Sequence, residues 1–407
     1  MVKCPVIVIG GGPAGLFSAA LVAEAGKRVS LLEKMPSCGR KLLMTGSGQC
    51  NLTHDGDISD FLGRYGDHGR FLRSSLRNFS NLDLVRWFTE RGLPVQSDET
   101  GKAFPVSRRA SDVLSVLQST CRDAGVLVRC GEAVREIRRS PFGFHVRSER
   151  AEYTSEAVII ATGGASYPAT GSTGDGFSLA CSLGHHITPI SPALAPVRVL
   201  DYPFSNLAGI SFDSVAFSLF RDGKKIREAS GDLLFTHKDL SGPGILHLSR
   251  YILPGDTLKI SFLPAMRQEV LKRDLVARVA ASGTKQVKSI LLAYALPARF
   301  INRLIYLAGI PPDRTGAHLQ KHERDEVIRL LTAYAFEIIG SGGWDEAMVT
   351  RGGVSLDEID PETMESLLVP HLYCIGELLD IDGDTGGYNL QAAFSTAMAA
   401  ARSLASL

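Results

Sequence analysis

An α/β fold built on a parallel sheet and interrupted by a second module is the architecture this chain predicts. Three observations carry that reading. The run Val6-Ile-Val-Ile-Gly-Gly-Gly-Pro-Ala-Gly15 reads as strand, tight turn and helix, and Arg28 to Glu33 supplies the next strand of a β-α-β unit. A similar pattern returns at the far end, where Gly376-Glu377 and Thr385-Gly-Gly-Tyr-Asn-Leu-Gln391 lead into a small-residue helix. Between 193 and 346 the texture changes, first to short alternating segments and then to helical spacing.

In chain order, residues 5–9 are a short apolar strand and 13–26 an Ala-rich helix stopped by Gly26. Residues 35–53, rich in Gly, Ser, Thr and Asn, read as a loop or broken helix. Helices are expected near 68–78, 82–91 and 112–124, and strands at 126–130, 133–138 and 142–147. Tyr153 introduces a buried strand that ends in Ala161-Thr-Gly-Gly164, and 174–184 is a helix with a Gly stop. Segments such as Val215-Ala-Phe-Ser-Leu-Phe220 and Thr257-Leu-Lys-Ile-Ser-Phe262 suit a small antiparallel sheet or barrel. Helical spacing then recurs in Val270–Ala281, Val287–Ala293, Ala298–Leu307 and Arg324–Ala335. The expected organisation is one discontinuous α/β domain, 1–192 plus 347–407, carrying an inserted β-domain (193–263) and a helical domain (264–346).

Size and charge bound the function. A chain of 407 residues suits two or three domains. With 44 Lys plus Arg against 43 Asp plus Glu, the net charge of +1 gives no global drive toward nucleic acid or anionic membrane. No apolar run is long enough to span a bilayer and no signal peptide is visible, so the cytoplasm is the expected compartment. The 7 cysteines include no CxxC pair and read as buried or incidental thiols, with Cys38 and Cys50, twelve apart, as the alternative of a redox couple. The histidines form no metal set: His185-His186 ends a helix, and His318 with His322 lacks an HExxH context.

The first glycine loop carries chemistry. Gly10 permits the tight turn, Gly12 lets backbone approach a pyrophosphate, and Gly15 lets helix and strand pack closely. Pro13 and Ala14 open the helix, whose N–H groups face negative charge. Glu33, about 20 residues on, is placed to accept from ribose hydroxyls. The return of a glycine-rich helix start at the C-terminus, with the Thr162-Gly-Gly164 turn between, favours a long dinucleotide held from both ends. FAD is the expected cofactor. Only one convincing dinucleotide loop is present, so NAD(P)H is expected as a transient reductant without a domain of its own.

The combination of Glu33-Lys34, Gly39-Arg-Lys-Leu42, Thr45-Gly-Ser-Gly48, Cys50-Asn-Leu-Thr53, Ala161–Pro168, Thr170–Gly176, Phe235–Pro243, Val349–Val354, Thr363–Ser366 and 376–391 resembles the HI0933-like family of flavoproteins, often named NAD(P)/FAD-dependent or aminoacetone-oxidase-like oxidoreductases. The resemblance spans essentially the whole chain. It implies a glutathione-reductase-like FAD domain interrupted by a small β-domain and a helical domain. Some relatives are linked to reduction of steroid-like enones. Gln49, Leu367 and Ser395-Thr-Ala depart from the family pattern, and two of these departures remove cations.

On that resemblance, Lys34, Arg40 and Lys41 lie beside the pyrophosphate or flavin, and Gly46 and Gly48 bring backbone to the ring edge. Asn51 is a candidate for hydrogen bonding to flavin or substrate, and Cys50 a candidate nucleophile. Thr162, Gly163 and Gly164 admit the cofactor, Tyr167 and 170–176 border the cavity, and Val134 contacts adenine. Gly376, Glu377 and Asp380 serve the ribityl chain, with Asp382 and Asp384 as looser candidates. Gly386, Gly387, Tyr388, Asn389 and Leu390 place helix N–H groups at the flavin. His237 is a candidate proton donor. The expected activity is two-electron transfer on a small organic substrate held between the flavin face and the inserted module. A flavin-dependent tRNA-modifying enzyme and a non-catalytic flavin-binding regulator are the alternatives.

Overall fold

The structure is a computed structural model describing residues 2–406. Five short parallel strands form the central sheet: β1 (Val6–Ile9), β2 (Val29–Glu33), β3 (Leu127–Cys130), β4 (Ala157–Ile160) and β5 (Leu372–Cys374). Their spatial order is β5-β4-β1-β2-β3. All four residues of both β1 and β4 are buried, as expected of strands covered on both faces. The last strand of the chain thus joins the sheet with only β4 between it and β1.

Two helices reinforce that closure. α1 (Pro13–Glu24) begins with proline, whose missing N–H is no loss at a helix start. α2 (Tyr388–Ala405) is Ala-rich and almost wholly buried, and packs on α1. Phe17 of α1 meets Phe394 of α2 edge-on at 5.1 Å and Trp87 at 4.8 Å. Aromatic pairs at this spacing add to the burial of their area. A second, four-stranded sheet takes in 134–140, 143–148 and 152–155 together with Val2–Lys3. Strands Ile187–Ala193 and Val349–Val354 pair antiparallel.

The chain divides into two compact units, 1–193 with 344–407, and 194–343. The second unit contains a closed six-stranded barrel from segments 197–199, 211–221, 224–235, 240–241, 257–261 and 334–341. Four helices, Gln268–Ala281, Val287–Leu291, Ala298–Leu307 and Lys321–Thr332, fall between its fifth and sixth strands. Phe204, Phe212, Phe235, Phe262, Phe300 and Phe336 belong to one core shared by barrel and helices.

Two sequence expectations change. The helix read over Arg324–Ala335 ends at Thr332, and Tyr334–Ser341 is a barrel strand. The segment 264–346 is therefore not all helical, and β-domain and helical domain form one unit rather than two successive ones. The helical spacing runs into a strand whose own alternation overlaps it, and non-helical backbone at Ala333 (φ −154°, ψ 49°) makes the break. Helix 68–78 is likewise reduced to Arg73–Asn78, after a kinked 3₁₀ segment at Asp60–His68.

Candidate functional site

The first glycine loop is dictated by close approach. A Cβ on Gly10 (φ +107°) would lie 2.5 Å from the Ala161 carbonyl oxygen, and one on Gly15 would lie 1.9 Å from that of Gly10. A Cβ on Gly12, in contrast, meets nothing within 4 Å. Gly10 and Gly15 are thus required by the protein's own packing, and Gly12 is not. Glu33 accepts from Gly11 N at 2.6 Å through Oε2 and from Met35 N at 2.7 Å through Oε1. These bonds orient the carboxylate at the end of β2, and each oxygen keeps a lone pair for a further donor.

An open cleft begins there. Gly10, Glu33, Lys34, Val134, Thr162 and Asp175 are among its walls. Lys34 Nζ spans to Asp175 Oδ2 at 2.5 Å and also donates to Thr173 Oγ1. Burial works against the Asp175 charge, but the bonds from Lys34 and Thr173 overcome it and hold its carboxyl below the usual range. Thr162 Oγ1 is buried in this region with no hydrogen-bond partner, a rarity that calls for a ligand or water.

A second cluster ties the C-terminal segment to the loop after β2. Lys41 Nζ lies 2.7 Å from Glu377 Oε2 and donates to Ser166 Oγ at 2.6 Å. Glu377 Oε1 also accepts from Ser166 Oγ at 3.1 Å and from Thr350 N at 2.8 Å. Thr350 Oγ1 in turn accepts from Ala165 N at 2.8 Å and Ser166 N at 3.2 Å. A Cβ on Gly164 would overlap Thr350 Oγ1 at 2.2 Å, and one on Gly376, whose φ is +68°, would lie 3.2 Å from Ala14 Cβ at the start of α1. Gly163 is left-handed at φ +73°. Ser166 and Thr350 were not singled out from sequence. Both lie within matched stretches, but their roles depend on contacts across well over a hundred positions.

The loop before α2 is held by side chains that sequence reading assigned to the cofactor. Asn389 Nδ2 donates to Gly383 O at 2.9 Å and its Oδ1 accepts from Gly383 N at 2.7 Å. Tyr388 stacks on His54 with 5.4 Å between ring centroids, and Tyr65 OH donates to Tyr388 O at 2.8 Å. Burial raises the pKa of Tyr388. No side chain caps α2, so its first N–H groups, including that of Leu390, are available to an acceptor. Gly386 and Gly387 are left-handed, and a Cβ on Gly387 would lie 2.5 Å from Thr53 O. Asp380 is buried with His68 Nδ1 3.8 Å away, and Arg64 lies 3.8 Å from Asp384. Asp382 is buried as well.

The three residues read as catalytic have the following surroundings. Cys50 is buried, and burial pushes its thiol up to about 12, against a smaller opposing effect of Thr45. It is a protonated packing group at neutral pH. Cys50 and Cys38 do not pair; Cys38 Sγ instead lies 3.7 Å from Cys130 Sγ. Asn51, its amide oriented to satisfy both ends, donates to Thr53 O at 2.9 Å and Ala103 O at 3.2 Å and accepts from Gly387 N at 3.1 Å. Its bonds go to backbone, fixing the entry to α2. His237 is exposed in a turn of the second unit closed by Thr236 and Asp239. Arg40 is exposed and does not join the Lys41 cluster. Gly46 and Gly48 are both left-handed in a kinked 3₁₀ segment, Leu42–Gly48. Among the described residues no group of three or more His, Cys, Asp or Glu is arranged to hold a metal, and no helix is long and apolar enough to cross a membrane.

These residues fit a flavin dinucleotide. The open side of Gly12, the orphaned Thr162 hydroxyl, the Glu33 carboxylate at the end of β2 and the two uncapped helix starts are the groups that would receive it. Similarity to known proteins agrees. The chain is 31% identical over 98% of its length, and 98% of the relative's, to the 3-dehydro-bile acid delta(4,6)-reductase of Clostridium scindens. It is 33% identical over 99% of its length, and 98% of the relative's, to the ribosomal RNA dihydrouridine synthase of Escherichia coli. In fold it matches the FrdA protein of E. coli quinol fumarate reductase (TM-score 0.53, 13% identity, 100% of this chain and 71% of that one). It also matches the 3-ketosteroid-delta4-(5alpha)-dehydrogenase of Rhodococcus jostii RHA1 (TM-score 0.51, 14% identity, 98% and 97%). The fold is a Rossmann-like FAD-binding fold of the oxidoreductase type with inserted β and helical parts. Residues 4–403 match the HI0933-like protein Rossmann domain, and the chain belongs to that family.

Proposed function

We propose that the protein is an FAD-dependent reductase of a carbon–carbon double bond conjugated to a carbonyl, with NAD(P)H as electron donor. The observation that carries this reading is similarity over nearly the full chain to two kinds of relative. One is named as a bile-acid delta(4,6)-reductase and the other as a dihydrouridine synthase. Dihydrouridine is the ring-reduced form of uridine, so the two names share one chemistry: a hydride added to the far carbon of a conjugated C=C, and a proton added to the near one.

Bound FAD supplies the hydride chemistry. Glu33 holds the adenosine ribose, and the start of α1 at Gly12 and Pro13 faces the pyrophosphate. Lys41, Ser166 and Thr350 fix the Glu377 carboxylate toward the ribityl chain. The uncapped start of α2 faces the flavin edge, where N–H groups favour accumulating negative charge. His68, part-exposed beside Asp380, is the proton donor this reading favours in place of Cys50 or His237.

Anaerobic stopped-flow mixing of the holoprotein with NADH and NADPH tests the donor half, followed by an enone steroid as acceptor. Prompt bleaching of the flavin and its recovery on enone addition are expected. A purified chain that neither retains nor rebinds FAD overturns the reading; bleaching without recovery on any conjugated enone overturns its acceptor half.

A second reading, a uracil ring within RNA as acceptor, is favoured by one local feature. Residues 264–333 carry twice as many Lys and Arg as Asp and Glu, although the whole chain stands at +1. Lys285 and Lys321 are exposed there, on segments joined by the Gln286–Thr315 bridge and by Gly316 N to Lys285 O at 2.9 Å. Binding of ribosomal RNA that weakens steeply with salt supports it, and salt-independent or absent binding removes it.

A further inference from the structure

We propose that Glu132 reads the exocyclic amine of adenine and so makes this site selective for an adenine dinucleotide. The inference rests on the FAD reading above and adds a specificity-determining residue to it.

Glu132 is a carboxylate only 3% exposed. It lines the same cleft as Glu33, Ala133 and Val134. Its backbone N–H donates to Glu33 O at 2.9 Å, which fixes it one position over from the ribose-directed carboxylate. Within the side chain the two oxygens differ. Oε1 accepts from both Ser148 Oγ at 2.7 Å and Tyr153 OH at 2.5 Å. Oε2 has no hydrogen-bond donor, and no cation forms an ion pair with the group, among the described residues. A buried carboxylate half-satisfied in this way is costly unless a ligand donates to it. Oε2 is partnerless without being fully enclosed, and the cleft is lined by Glu132, so we take this oxygen as the one that meets a ligand there.

The ligand's chemistry follows. An ionised carboxylate only accepts. The 6-amino group of adenine offers two N–H donors, whereas a 6-oxo purine presents an acceptor to the same oxygen and is repelled. The ribose hydroxyls are the other donors in reach, and Glu33 already stands over them. Val134 closes the apolar side of the ring site. Ser148 and Tyr153 act as positioning residues, locking the carboxylate so that the free oxygen stays turned to the cleft.

The test compares ADP and IDP, which differ in the 6-amino and 6-oxo groups, by titration calorimetry. It uses the full-length chain after flavin removal, with refolding integrity checked by FAD rebinding. ADP is expected to bind about 10- to 100-fold tighter than IDP, the range of one hydrogen bond to a charged group. Glu132→Gln, whose amide can turn its NH₂ toward O6, is expected to bring the two within a few-fold of one another. Tyr153→Phe, which keeps the carboxylate, is expected to retain a preference for ADP. Equal binding of ADP and IDP by the wild-type chain overturns the inference while leaving FAD binding intact. An unchanged ratio in Glu132→Gln also overturns it. Weakened 2′-deoxy-ADP with undiminished IDP would assign the donor to ribose and overturn it as well. A chain that binds no FAD at all fails the parent reading instead.

Discussion

Lys41 Nζ and Glu377 Oε2 lie 2.7 Å apart, joining the loop after the second sheet strand to the segment after the last. Both side chains are about one-fifth exposed, at 22% and 21%. Glu377 has further donors in Ser166 and Thr350, so the pair is the centre of a network rather than an isolated surface contact. Lys41→Met is expected to lower stability by about 1–3 kcal/mol, because it leaves a part-buried carboxylate short of its cation. Glu377→Gln alone is expected to cost less, since its amide oxygen still accepts from Thr350 N. In a thermal-denaturation double-mutant cycle the two losses should not add. Strict additivity would mean that the pair does not couple the two ends.

Gly15 and Gly12 of the first loop are expected to fail differently. Gly15→Ala places a methyl 1.9 Å from backbone oxygen, so the apoprotein itself should be destabilised. Gly12→Ala meets open space and keeps ordinary φ, −76°, so the apoprotein should melt normally. Its methyl would instead occupy the approach reserved for a pyrophosphate. Loss of bound flavin absorbance with an unchanged apoprotein melting temperature is the expected signature. Full flavin occupancy in Gly12→Ala would remove the pyrophosphate from this loop.

What sequence made legible was whatever rests on local chemistry. The strand-turn-helix of 6–24 needs only neighbours, and so does the glycine-rich start of the last helix. Ser166 and Thr350 escaped because neither has a distinctive residue type, and each matters only through a partner far along the chain. Asn51 was noticed for its donor and acceptor, but sequence does not tell whether those face a ligand or the backbone; here they face Thr53, Ala103 and Gly387. The strand at Tyr334–Ser341 was hidden because the preceding helix continues its apolar spacing to the boundary, and only barrel closure decides the matter.

The thiols give a second check on the site. Cys181 is exposed, Cys130 is half-buried, and the other five are buried. Ellman's reagent is expected to titrate one thiol per native chain quickly, and Cys181→Ser should abolish that phase. Cys50, held protonated by burial with its pKa raised to about 12, should react only on unfolding. Cys50→Ala should keep both bound flavin and turnover. A large loss of turnover with flavin retained would restore the thiol to the mechanism.

Acid stability should report on the barrel through Asp256. Its side chain is buried, and Arg221 approaches with Nε at 2.8 Å from Oδ1 and Nη2 at 2.9 Å from Oδ2. Leu253 N adds a third donor at 2.8 Å. Burial opposes the charge, but these donors overcome it and hold the carboxyl below its usual value. A carboxyl depressed in the folded state stabilises fully above its unfolded pKa of about 3.9, and that contribution disappears as pH falls through the lower folded value. Asp256→Asn is therefore expected to cost about 2 kcal/mol near neutrality. The difference from wild type should shrink as pH falls below about 4. Urea unfolding followed by circular dichroism across that window measures it, and a difference that stays constant to low pH would show that Asp256 is not ionised in the folded barrel.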